Sequence, residues 1–284
     1  MESLFVETLD FDLPSGRIHG QRFGSPRAPL ALCLPGLSAN MVSFDFLGER
    51  LGSERLQLVA LDLRGRGQSA VTPLGTYGWY AHARDAFAIA SELGHEKFSL
   101  IGHSMGAAVA LAAAASDTNA RLDRIVLIDL CGEPDPSTLP LIDAAVARLG
   151  SIYPSVEDYL TRVKQIGTVQ PWSVYFERYL RYELVPAEDG GVRARSSRDA
   201  VLEDSAEFSR QDIYSLWRSL SQPVLLLRAA RELLPGYGHI VSAPDAARFA
   251  ADVPSARVIE IDANHYGIIT ADASAQAIAA FFGN

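Results

Sequence analysis

The sequence predicts an α/β protein: a mostly parallel, doubly wound sheet with an inserted helical cap. Three observations carry that prediction. Apolar runs at Leu30 to Leu34 and Leu56 to Leu61 read as strands buried on both faces. Such runs alternate with stretches of helical spacing, which calls for parallel strands joined by right-handed crossovers. The alternation stops at Glu133 and resumes only at Pro223.

The elements follow in chain order. Leu4 to Phe11 and Arg17 to Phe23 read as a β-hairpin pair, split by Pro14, Ser15 and Gly16. After the strand Leu30 to Leu34, Val42 to Leu51 reads as a helix. The next strand, Leu56 to Leu61, ends at Asp62. Tyr80 to Leu93 keeps roughly helical spacing through Ala83, Phe87, Ile89, Ala90 and Leu93. Phe98 to Ile101 reads as a strand, Met105 to Ala115 as a helix, and Arg124 to Ile128 as a strand. No buried strand is evident from Glu133 to about Leu220. Helical patterns occupy Leu141 to Leu149, Val156 to Ile166 and Trp172 to Tyr182, and the polar stretch Pro186 to Asp199 reads as a turn or short hairpin. The sheet pattern resumes with Pro223 to Leu227 and ends with Val258 to Ile261. Helices follow these strands near Ala246 to Ala251 and at Ser274 to Phe282. The implied organisation is a core of residues 1–132 and 221–284 with a helical cap at 133–220.

Composition narrows the function classes. Of the 284 residues, 48% are hydrophobic and 21% charged, a balance that excludes disorder for most of the chain. The net charge of -9 disfavours nucleic acid and anionic membrane surfaces as partners. The longest apolar run, Met105 to Ala115, is too short to cross a bilayer. The N-terminus is acidic and strand-like, unlike a secretory signal, and Cys33 and Cys131 cannot make a disulfide framework. A cytoplasmic protein is expected. No histidine and cysteine cluster has metal-ligand spacing, and Gly65, Arg66 and Gly67 are too short for a dinucleotide fingerprint, so no cofactor is expected.

The strongest chemical signal is Gly102-His103-Ser104-Met105-Gly106, a G-x-S-x-G between an apolar strand and an alanine-rich helix. A serine on so sharp a turn adopts a strained backbone and crowds its neighbours, so glycines flank it. The helix that follows aims its first N–H groups at the serine, where negative charge develops on an attacked carbonyl oxygen. Ser104 is thus the candidate nucleophile and the Met105 N–H one oxyanion donor. A second donor is expected from the loop Pro35-Gly36-Leu37-Ser38, through the Leu37 N–H.

The base should follow nucleophile and acid in chain order. His265, just after the last strand, is preferred over His239. Two carboxylates sit at strand ends: Asp129, after Arg124 to Ile128, and Glu232, in the loop after Pro223 to Leu227. Either could orient an imidazole. Asp129 is preferred because a carboxylate in so apolar a strand needs a partner, which His265 would supply. Glu232 remains the alternative, with a surface ion pair to Arg231 or Arg228 as its non-catalytic explanation.

These motifs, together with Asp62-Leu63-Arg64-Gly65-Arg66-Gly67-Gln68-Ser69 and Asn264-His265, resemble the α/β-hydrolase superfamily along nearly the whole chain. The resemblance implies that Asp62 and Arg64 are fold residues. It places the commonest acid position on Glu232, while some members use the position that is Asp129 here. Ser104 stands where epoxide hydrolases and haloalkane dehalogenases of this fold carry aspartate, which excludes both. Its strand order would separate Cys33 and Cys131 by the nucleophile strand, too far for a disulfide. The expected activity is hydrolysis of a small carboxylic ester or lactone. The same three side chains also suit amides, thioesters or the carbon–carbon bond of a dienoic diketone, and a ligand receptor on a hydrolase fold is the reading from another class. Cap aromatics, among them Trp172, Tyr175, Phe176 and Tyr179 on one helix face, either line an acyl pocket or bury the cap on the core, and burial is the more general expectation.

Overall fold

The computed structural model describes residues 5–188 and 190–283. Leu4 and Asp189, parts of the expected first strand and polar turn, lie outside the described residues. The chain opens with strands β1 (Val6–Leu13) and β2 (Gly16–Phe23), paired antiparallel from Val6 opposite Phe23 to Leu13 opposite Gly16. Then come β3 (Leu30–Leu34), a short 3-10 turn at Met41–Phe44, helix α1 (Asp45–Leu51), β4 (Gln57–Leu61) and α2 (Trp79–Glu92). Strand β5 (Phe98–His103) leads into α3 (Met105–Ser116), and β6 (Leu122–Ile128) closes this half.

Between the two halves run α4 (Leu139–Ala147), β7 (Ile152–Tyr153), α5 (Val156–Ile166), α6 (Val174–Tyr182), β8 (Leu184–Pro186), β9 (Val192–Ala194), α7 (Arg198–Ser205) and the single turn α8 (Glu207–Arg210). The sheet is completed by β10 (Val224–Ala229) and β11 (Ala256–Ile261), which alternate with α9 (Ala243–Asp252) and α10 (Asp272–Phe282).

The eight-stranded sheet has the order β1-β2-β4-β3-β5-β6-β10-β11. Only the β1–β2 and β2–β4 pairs are antiparallel. Strands β3 to β6 and β10 are almost wholly buried, as parallel strands covered by helices on both faces must be. Two apolar layers fill those faces. One gathers Leu32, Leu100, Trp79 and the alanines of α3. The other gathers Ala31, Ile101, Phe44, Leu47 and Ile278. Adjacent residues of each strand go to opposite layers, the period-2 alternation of a strand. Helix α3 is buried all round, which explains why its sequence carries no polar face.

The short hairpin expected within Pro186 to Asp199 is present as β8 and β9, paired antiparallel from Leu184 opposite Ala194 to Pro186 opposite Val192. The two-residue strand β7 adds to it to make a small sheet, β7-β9-β8, and is too short to show alternation. Helix α7 is absent from the sequence reading. Its buried face is Ala200, Val201 and Asp204, so a carboxylate interrupts the apolar stripe. Cys33 and Cys131 are buried, unpaired, and separated by β5. Among the described residues no helix is long and apolar enough to cross a membrane.

Candidate active site

The turn from β5 to α3 has the strain its sequence implies. Ser104 sits at φ 55° and ψ -124°, a region an L-residue enters only under constraint. The flanking glycines relieve real collisions. A Cβ at Gly102 would lie 2.2 Å from the Gly106 carbonyl oxygen, and one at Gly106 would lie 1.9 Å from the Leu34 carbonyl oxygen. The loop after β3 also passes close, although less tightly, because a Cβ at Gly36 would be 3.3 Å from that of Ser104. The N–H groups of Leu37 and Met105 have no protein acceptor among the described residues, and both residues line the same cavity as Ser104.

His265 also lines that cavity. Its Nδ1 lies 2.8 Å from Oδ2 of Asp129, a carboxylate only 1% exposed. The other Asp129 oxygen accepts the Ala229 N–H at 2.8 Å, so the buried charge is partnered on both sides. Asp129 itself has φ 51°, a second strained residue at a strand end. Strand order explains the meeting: β5, β6 and β10 are neighbours, and the ends of β5 and β6 carry Ser104 and Asp129.

Glu232 lies elsewhere. It is exposed, its Oε2 accepts the Gly236 N–H at 2.8 Å, and it lines a separate small pocket with Gln170 and Pro235. It makes neither of the ion pairs considered for it: Arg231 pairs with Asp262 and Arg228 with Glu260. His239 is held at the Ala230 carbonyl, 3.2 Å away.

His103, the x before Ser104 in the motif, has a part that the motif alone did not disclose. Its Nε2–H donates to the His265 carbonyl oxygen at 3.0 Å, and the two rings stack with centroids 4.7 Å apart. Burial and the neighbouring His265 push its pKa down to about 3, so it is neutral. Its Nδ1 is left buried without a partner. Asn264 fixes the same loop, donating to the Thr168 and Leu233 carbonyls and accepting from the Gly267 N–H.

The cavity measures about 250 Å³. Its wall is mainly apolar, with Leu130, Leu139, Ile142, Val146 and Phe208 prominent. Among the described residues Arg148 is its only arginine or lysine. That guanidinium is paired with Glu183, donates to the Tyr159 hydroxyl at 2.9 Å, and reaches the Ser38 hydroxyl at 3.4 Å. No motif marks Arg148 in the sequence. Of the aromatics of residues 133–220, Phe176, Tyr179 and Phe208 line the cavity, whereas Tyr175 packs edge-on against Phe46 and Trp217 is buried on the Cys131 carbonyl. Asp62 accepts from the Met41 and Gln68 N–H groups and from the Tyr182 hydroxyl, tying the loop after β4 to α6. Among the described residues no cluster of three metal-ligating side chains occurs.

The comparisons with known proteins agree with this architecture. The chain is 41% identical over 127 residues to N-formylmaleamate deformylase of Pseudomonas putida, a match spanning 45% of this chain and 46% of that relative. It is 28% identical over 241 residues to 2-(acetamidomethylene)succinate hydrolase of Mesorhizobium japonicum, covering 84% of this chain and 82% of the relative. The chain thus spans about half the length of the first relative and most of the second. A crystal structure of E-2-(acetamidomethylene)succinate hydrolase superposes over 99% of this chain and 100% of its own, with a TM-score of 0.85 at 23% identity. The model of the alpha/beta hydrolase family matches residues 31–280, from the first buried parallel strand to the last helix. The protein is a member of the alpha/beta hydrolase family.

Proposed function

We propose that the protein hydrolyses a carboxylic acyl bond through an acyl-enzyme on Ser104, and that its physiological bond is an N-acyl link in a small carboxylate-bearing molecule. One observation carries the chemistry: a strained Ser104 shares its cavity with His265, whose Nδ1 is held by buried Asp129. With Nδ1–H donating to Asp129, Nε2 carries the lone pair and takes the Ser104 hydroxyl proton. The Oγ–carbon bond forms, and the carbonyl electron pair moves to oxygen, where the Leu37 and Met105 N–H groups receive it. Collapse breaks the carbon–nitrogen bond as His265 returns its proton to the leaving nitrogen. A water, deprotonated by His265, then attacks the acyl carbon and releases the acid and Ser104. Residues 133–220 serve as the cap over this cavity.

Two considerations support the N-acyl, anionic substrate. Both relatives are named for compounds with an N-formyl or acetamido group on a carboxylate skeleton. Arg148 puts a permanent cation of the cavity wall beside Ser38, next to the oxyanion loop. A small ester or lactone is the second reading, favoured by the mainly apolar wall. The same steps then expel an alcohol. The test is a panel of N-formyl and N-acetyl enamides and matched esters, with released acid followed by proton NMR. Ser104-dependent release from the amides supports the proposal. Release from esters alone moves the assignment to the second reading, and no release from any acyl compound sinks both.

A further inference from the structure

We propose that Arg66 and Asp204 are positioning residues that make docking of the inserted segment a condition for a formed oxyanion hole. The inference rests on the reading of Leu37 as an oxyanion donor.

The Leu37 N–H belongs to the peptide between Gly36 and Leu37. That peptide is held on its other side, because the Gly36 carbonyl accepts the Ala39 N–H at 3.1 Å. The next peptide is held by Arg66. Its Nε and one terminal nitrogen both donate to the Leu37 carbonyl, at 3.1 and 2.8 Å. The Leu37 N–H lies in the plane of the first of these peptides, and holding the second as well restricts the backbone rotation at Leu37 that would turn it away. No other side chain donates to this carbonyl among the described residues.

Arg66 is fully buried, and a buried guanidinium without a counter-charge is strongly destabilising. The counter-charge comes from α7. Asp204 lies 2.6 Å from the remaining Arg66 nitrogen, which also donates to the Arg64 carbonyl at 2.8 Å. Asp204 in turn accepts from the Gly78 N–H at 2.6 Å and pairs with His82 at 2.9 Å. Burial pushes its carboxyl up, but His82, Arg66 and the Gly78 N–H outweigh that and hold it at about 2. Neighbouring bonds secure the same helix: the Ser197 N–H to the Gly65 carbonyl, and Glu203 to the Gly75 and Tyr77 N–H groups. The Leu37 side chain makes the matching contact, packing on Val146, Leu149, Ala194 and Val201, all from the inserted segment. Leu37 also packs on the larger core layer and keeps the Gly36–Ala39 bond of its own loop, and the inserted segment adds to these the clamp through Arg66 and the contact with these four residues.

The arrangement suits a site that should be competent only when covered. A displaced α7 would strip Arg66 of its partner and free the Leu37 peptide. Stabilisation of the oxyanion would then fall without any change in Ser104, His265 or Asp129.

The experiment compares wild type with Arg66→Lys, which keeps the charge for Asp204 but cannot fork around the carbonyl, and with Arg66→Met/Asp204→Leu, which removes both charges together so that neither is left unpaired. Each is assayed for kcat and KM on the best acyl substrate and for inhibition by a trifluoromethyl ketone analogue, whose adduct on Ser104 needs the oxyanion hole. The expected result is a kcat lower by about 10- to 100-fold, an inhibition constant raised by a similar factor, KM within about threefold, and an unchanged pH profile. Wild-type kcat and inhibitor affinity in either folded variant overturn the proposal, as does a rise in KM alone, which would mean that the pair only shapes the cavity. If Arg66→Lys does not fold, the double variant is read by the same outcomes. Failure of wild type to show any Ser104-dependent turnover would instead remove the proposed activity itself.

Discussion

Nδ1 of His265 lies 2.8 Å from Oδ2 of Asp129 across 136 residues of chain. The carboxylate accepts the Nδ1 proton and so leaves Nε2 as the basic nitrogen. Glu232, the alternative carboxylate, accepts the Gly236 N–H of its own loop.

Asp129→Asn should therefore lower kcat on the order of 10³- to 10⁴-fold, because an amide at this site favours the wrong imidazole tautomer. Glu232→Gln should leave the rate within a few-fold. Steady-state kinetics on one acyl substrate compares the two, and the opposite ranking would reassign the acid.

Gly106→Ala should cost about 3 kcal/mol or more, or prevent folding, because its new Cβ would lie 1.9 Å from the Leu34 carbonyl oxygen. An exposed glycine with open space, Gly94, has positive φ but no neighbour within 4 Å, so Gly94→Ala carries only the backbone strain. Thermal denaturation should separate the two variants clearly, with Gly106→Ala far the less stable.

His103 gives the pH prediction. It is held at about 3 in the folded protein, against an ordinary value of 6.5. Below pH 6.5 the unfolded chain takes up this proton and the folded protein does not. Stability from this group is thus complete above pH 6.5 and is lost as pH falls towards 3, with a limiting slope of about 1.4 kcal/mol per unit. Urea unfolding between pH 7 and 4 should show a shallower loss in His103→Gln. Parallel curves for the two proteins would show that His103 does not carry the effect.

Arg148→Gln should reduce kcat/KM more for an acyl substrate bearing a carboxylate than for a neutral one of equal length. The expected difference is about 10-fold or more, as a charge-assisted hydrogen bond warrants. Equal losses on both substrates would confine Arg148 to its pairing with Glu183.

Tyr182→Phe removes the hydroxyl that donates to Asp62 at 2.6 Å and should destabilise the protein by about 1 to 3 kcal/mol. The Asp62 oxygen concerned keeps the Gln68 N–H, which limits the loss. Denaturant midpoints check the value.

Much of the fold was legible because it follows from local rules. Apolar runs of five or so residues marked β3, β4, β5 and β6, and Val156 to Ile166 has the limits of α5 because Ser155 caps one end and Gly167, in the left-handed region, closes the other. The elbow at Ser104 could be read for the same reason: a strained turn between strand and helix demands glycines at fixed offsets, and the demand is written at those positions. Helix α7 escaped because its buried face includes a charge, and β7 because two residues are too short to alternate, whereas the turn residues after Pro186 marked the β8–β9 hairpin.

The sequence by itself determined the order of the large sheet's strands along the chain, the strained turn at Ser104 and a short choice of partners for it. Only the tertiary structure decided which carboxylate reaches His265, since that depends on β6 lying between β5 and β10. It also decided that Arg66 clamps the Leu37 carbonyl and meets Asp204, and that Arg148 faces the cavity. The physical reason is the range of the constraint. Backbone geometry and side-chain period act over a few residues and leave a pattern in the chain. A buried charge needs only one partner, at any sequence distance, and the packing of the sheet alone selects it.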